Sequence, residues 1–221
     1  MAVTNTKSPL GFTFTETMRG YIASGELDYR AAESIGRRQG DAFRFILTVR
    51  STDLDTFVRN PSHEAELTGT IESERFGGTR PIEPGVFNLF MENERGRKEM
   101  RYRFFFSDPN GKRYLFQGFK DVHNDYIFDF WKDTTKLFVT IREDDGGEQS
   151  VAATGILYIR PSDLVPQVLS MRGVNARSIV QHARAIVRFG LFFTERMLDE
   201  YLPFKLPSAL RGGQSTTTTR R

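Results

Sequence analysis

Between residues 41 and 160 apolar side chains recur at every second position in short runs, and this period of two constrains the fold more than any other feature. Phe43, Phe45, Leu47 and Val49 alternate with Arg44, Thr48 and Arg50. A strand turns successive side chains to opposite faces, so such a run buries one face and wets the other. Similar runs at 64–72, 85–92, 99–107, 112–122, 136–142 and 151–160 bring the expectation to about seven strands. Ser107-Asp108-Pro109-Asn110-Gly111-Lys112 supplies the residues a tight reversal needs, and Asp144-Asp145-Gly146-Gly147 marks a second one. Short strands joined by tight reversals are antiparallel. The fold class expected is therefore mainly β, an antiparallel barrel or sandwich of about 7–9 strands.

The period changes over 176–201, where Ile179, Ala183, Ile186, Phe193, Met197 and Tyr201 fall at helical steps while Arg177, Arg184, Arg188 and Glu195 take other positions. This predicts one long amphipathic helix that closes the β structure and ends before Pro203 and Pro207. Phe189, Leu191, Phe192 and Phe193 make its apolar part wider than a single core-facing stripe needs, so the helix is expected to touch two surfaces, or one surface and a partner. In a partial internal echo, strands ending in Arg50 and Arg160 are each followed by an Asp, Asp53 and Asp163, expected to cap short helical turns at 54–59 and 164–170. The domain reading is a polar tail over 1–10, one β-rich domain over 11–207 and a polar tail over 208–221.

Several function classes are disfavoured. Without cysteine the chain has no disulfide framework, no thiolate metal site and no cysteine nucleophile, which fits a reducing cytoplasm. No run is long and apolar enough to span a membrane. The basic residues gather after residue 176, where their spacing reads as the solvated face of a helix rather than a nucleic-acid surface. His63, His123 and His182 stand in no metal-ligand spacing and read as surface or boundary residues. Phosphate-cradling loops, dinucleotide fingerprints and nucleophile elbows are missing, so no cofactor and no catalytic residue is assigned.

The segment Phe128-Asp129-Phe130-Trp131-Lys132-Asp133-Thr134-Thr135 holds the only Trp among acids and hydroxyls. Asp133 and Thr134 suit the polar head of a ligand, and Trp131 and Phe130 its apolar body; the alternative is an Asp/Thr-stabilised turn beside a core Trp. Lys120 precedes it inside an aromatic run and must reach solvent or find an acid, for which Asp121, Asp129 and Asp133 are candidates. A solvent-facing head is the expectation.

Pieces spread from residue 12 to 201 together resemble an accessory, non-flavin domain of long bacterial cholesterol-oxidase-like glucose-methanol-choline oxidoreductases. They include Phe12-Thr13-Phe14-Thr15-Glu16-Thr17-Met18-Arg19-Gly20, Gly85-Val86-Phe87-Asn88-Leu89-Phe90, Gly118-Phe119-Lys120-Asp121-Val122, Trp131-Lys132-Asp133-Thr134-Thr135 and Arg188-Phe189-Gly190-Leu191-Phe192-Phe193. The resemblance implies an association with lipid or sterol metabolism. It carries no catalytic residue, because the flavin and hydrolase motifs of those proteins have no counterpart here.

Three readings follow. The first is a non-catalytic module that binds an apolar small molecule, a lipid or sterol, through Trp131, Asp133, Thr134, Lys120 and Phe130; a barrel filled by its own Phe side chains speaks against it. The second is an interaction module whose helix places Phe189, Phe192 and Phe193 on a separately encoded enzyme or on its own copy as a homodimer. The third is an enzyme for a lipid-like substrate using Lys120, Asp121, Asp129 and Asp133.

Overall fold

The computed structural model describes residues 8–94, 96–122, 135–145 and 150–201. The strands are β1 (Gly11–Ala23), β2 (Ala42–Ser51), β3 (Glu64–Ser73), β4 (Gly78–Pro81), β5 (Gly85–Glu92), β6 (Lys98–Ser107), β7 (Arg113–Val122), β8 (Lys136–Glu143), β9 (Val151–Tyr158) and β10 (Arg172–Val174). The α-helices are α1 (Tyr29–Gln39), α2 (Leu54–Arg59), α3 (Pro161–Ser170) and α4 (Ile179–Tyr201).

Eight strands close an antiparallel barrel in the order β1-β2-β3-β5-β6-β7-β8-β9, with β9 pairing back onto β1. Closure removes the exposed edges that an open sheet leaves for aggregation. Both strands bring a glycine to the seam. A Cβ on Gly20 would lie 2.0 Å from the Ile156 carbonyl oxygen, and one on Gly155 would lie 2.1 Å from that of Tyr21. Only glycine permits backbones to approach so closely.

β1 serves two partners along one edge. Arg19–Ala23 pairs with β9, and Gly11–Thr13 pairs with β10. Between them α3 covers the strand, where the Thr15 amide donates to Ser170 Oγ at 2.8 Å and Arg19 pairs with Asp163 at 2.6 Å. Asp163 therefore ties α3 to the barrel instead of capping it, and Arg160 at the helix N-terminus makes no side-chain capping bond. At α2 the capping expectation holds, because Asp53 accepts from the Asp55 and Thr56 amides.

The expected hairpin joins β6 to β7, with Asp108 Oδ1 accepting from the Asn110 and Lys112 amides and Gly111 at φ 82°. β1 and α1 were not legible as a strand and a helix, nor were the short strands β4 and β10. In α1, Asp28 caps the first turn and Gly36 meets β1 so closely that a Cβ would lie 2.1 Å from the Ile22 carbonyl oxygen.

Inward positions carry the core. Phe43, Phe45 and Leu47 of β2, Phe104 and Phe106 of β6, Phe116 of β7 and Val139 of β8 are no more than 1% exposed. The Phe104 and Phe116 rings stack with centroids 4.3 Å apart, Phe43 stacks on Phe116 at 5.7 Å, and Phe45 lies 6.0 Å from Tyr102. These rings pack against one another across the middle of the barrel.

Candidate functional site

One inward position of the aromatic barrel carries an acid. Along β1 the buried side chains run Phe12, Phe14, Glu16 and Met18, and Glu16 is 2% exposed. Its charge is met from two other strands. Lys120 of β7 donates from Nζ to Glu16 Oε1 at 2.7 Å, and Tyr102 of β6 donates its hydroxyl to Glu16 Oε2 at 2.7 Å. The Lys120 ammonium also lies 5.3 Å from the centre of the Tyr102 ring.

This corrects the expectation that Lys120 faces solvent: the side chain is buried inside the barrel. The reason is register. Phe116, Gly118 and Lys120 share the inward face of β7, so the period that buries Phe116 also buries the lysine. Its acid comes from β1, across the barrel and 104 positions away in the chain, not from the acids near it in sequence that the aromatic run suggests. Asp129, Asp133, Trp131, Phe130 and Thr134 lie outside the described residues.

Burial in low dielectric, and then the negative Glu16 beside it, push the Tyr102 hydroxyl well above its ordinary value of 10. Tyr102 is therefore a fixed donor rather than a proton carrier at neutral pH. Both carboxylate oxygens of Glu16 are occupied, so the cluster is internally satisfied and offers no spare base. A buried ion pair adds little net stability over apolar packing, because desolvation offsets most of the attraction, whereas removing one partner leaves a costly lone charge.

The layer above this cluster is closed by α4. Phe189 stacks on Phe12 with centroids 4.1 Å apart and lies 5.9 Å from Phe14, the neighbour of Glu16 on the inward face of β1. Phe192 contacts Phe57 and His63, and Phe193 meets Phe90 at 5.5 Å. Phe189 and Phe192 are thus buried on the chain's own barrel.

His63 is buried in the same layer, which corrects the surface or boundary reading, because α2 and α4 fold over it. Its backbone takes φ 40°. Nδ1 lies 2.8 Å from the Phe57 carbonyl oxygen, which only accepts, so Nδ1 carries the proton. Burial is the main cause that lowers the imidazole pKa, with Arg196 and Lys98 adding to it against the Phe57 hydrogen bond. His182 sits at the boundary of α4, its Nδ1 3.2 Å from the Gly173 amide.

The opposite face of α4 is open. Ile179, Val180, Val187 and Leu191 are 88%, 76%, 58% and 59% exposed, and α3 exposes Val165, Val168 and Leu169. On a helical wheel Val180, Ala183, Val187 and Leu191 form one stripe, turned away from Ala185, Phe189 and Phe192. The wide apolar stretch of the sequence thus belongs to two faces.

Elsewhere an open cleft of about 450 Å³ runs beside α2, lined by Arg50, Asp53, Asn60, Glu64, Glu66 and Val86 among others. It brings together no set of groups with a shared chemistry. Among the described residues no group of His, Asp and Glu is placed to hold a metal ion, and no helix is long and apolar enough to cross a membrane. No protein-family model, curated protein or solved structure matches the chain.

Proposed function

We propose that this protein is a non-catalytic accessory module that acts through the outer face of α4, with the barrel as its scaffold. The observation that supports this reading is the two-sidedness of α4: Phe189 and Phe192 are consumed by the barrel, while Val180, Val187 and Leu191 stay exposed. Exposed apolar side chains clustered on one helix face are costly to keep in water unless something covers them. The resemblance to an accessory domain of sterol-oxidising flavoproteins agrees with a module that assists rather than catalyses, and a cysteine-free chain suits a cytoplasmic setting.

Native mass spectrometry of the gently purified protein, with organic extraction of the same sample, tests the reading. The expected result is the mass of the bare chain and no stoichiometric lipid or sterol. A stoichiometric apolar ligand would overturn it.

A second reading has one observation in its favour, the Glu16–Lys120–Tyr102 cluster one layer beneath α4. A lipid or sterol whose polar head meets these groups would need α4 to lift and the aromatic layer to part. The same extraction, repeated on a Glu16→Gln/Lys120→Met double variant, separates this case: a ligand present in the wild type and lost from the folded variant establishes it.

A further inference from the structure

The outer face of α4 combines its apolar stripe with positive charge. Between Arg172 and Arg196 five arginines stand against one acid, Glu195, although Arg196 turns to the inner side, over the Phe192 ring. Arg184 lies beside Val180, Val187 and Leu191 on the exposed side, Arg177 is exposed just before the helix begins, and Arg188 at the flank pairs with Asp55 at 2.5 Å. Among the described residues neither Arg177 nor Arg184 has an acid within ion-pair distance.

We propose that this face docks on an anionic lipid surface, with Val180, Val187 and Leu191 entering the interface and Arg177 and Arg184 meeting the headgroups. The inference rests on the reading that α4 is the working surface, and it names what covers that surface. Charge complementarity selects the occupant. A helix lying in a membrane interface needs an apolar face bordered by long cationic side chains, whose stems lie along the apolar zone while their heads reach the phosphates. The inner face of α4 is already anchored by Phe189 and Phe192, so the helix is folded and oriented before it meets lipid. It loses little conformational freedom on docking.

Co-sedimentation of the full chain with vesicles tests this, using phosphatidylcholine alone and phosphatidylcholine mixed with phosphatidylglycerol. The expected result is binding to the mixed vesicles that weakens with added salt, and much weaker binding to the neutral ones. Val187→Glu with Leu191→Glu abolishes it, and Arg177→Gln with Arg184→Gln weakens it by about thirtyfold. Circular dichroism melts of both variants, expected to match the wild type because all four positions are exposed, exclude unfolding as the cause.

Equal binding to both vesicle types, or binding unaffected by these variants, overturns the proposal. If no vesicle is bound but sedimentation velocity shows self-association that Val187→Glu with Leu191→Glu removes, the covering surface is a second copy. The lipid proposal then falls and the α4 reading stands. A chain that binds no vesicle and does not self-associate overturns both.

Discussion

Lys120 of β7 and Glu16 of β1 meet at 2.7 Å inside the barrel, although two strands, β8 and β9, separate theirs around its wall. This bond fastens the two halves of the cylinder through its interior, and Tyr102 holds the free oxygen of the same carboxylate.

Lys120→Met should destabilise the fold by about 3–5 kcal/mol, because it strands a buried carboxylate. Adding Glu16→Met should recover part of that loss, since it removes the stranded carboxylate but leaves the buried Tyr102 hydroxyl without its acceptor. Urea denaturation of the single and double variants checks this. A single variant as stable as the wild type would show that Glu16 does not depend on Lys120.

Tyr102→Phe removes a hydrogen bond to a charged acceptor and should cost about 1.5–3 kcal/mol. The raised pKa of Tyr102 adds a pH dependence: its contribution is intact below pH 10 and is lost as the pH rises above it, because the unfolded chain ionises first. Absorbance titration of tyrosinate in wild type and variant should therefore differ by one tyrosine that ionises only as the protein unfolds.

For His63 the sign is opposite. Its folded pKa lies below the ordinary 6.5, so the unfolded state takes up the proton first. Stability is full above pH 6.5 and declines as the pH falls below it. Melting temperatures measured from neutral pH down to about pH 5 should fall for the wild type and fall less steeply for His63→Asn, a residue that tolerates positive φ.

Phe189→Ala should loosen the cap. The ring stacks on Phe12 and is buried, and truncating a buried phenylalanine costs about 3–5 kcal/mol. Hydrogen exchange should quicken first in α4 and β10, which pack together, and leave β6 and β7 protected. Uniform quickening throughout would mean that α4 and the barrel unfold as one unit.

β2, β3 and the strands from β5 to β9 were legible because each keeps its period of two, and α4 because its period changes; β4 and β10, of four and three residues, are too short to show one. β1 was not legible, although Phe12, Phe14 and Met18 alternate inward, because Glu16 stands where an apolar residue belongs. The residue that hid the strand is the one at the centre of the buried cluster. Lys120 reads as solvent-facing for the same reason: a charge in an aromatic strand favours solvent unless a partner waits inside, and that partner lies 104 positions earlier in the chain. α1 escaped notice because only Ala32 and Gly36 are buried on it, too small an apolar face to register. His63 reads as a surface or boundary residue because nothing local shows that a helix more than a hundred residues later will cover it.

Because the chain contains no cysteine, one introduced thiol reports from one place, and this gives the most direct test of α4 as the working surface. Val187→Cys on α4 and Asn110→Cys in the β6–β7 turn would each carry an environment-sensitive fluorophore, read with and without anionic vesicles. The account predicts a blue shift at Val187 and none at Asn110. Equal shifts at both positions, or a shift at Asn110 alone, would contradict it.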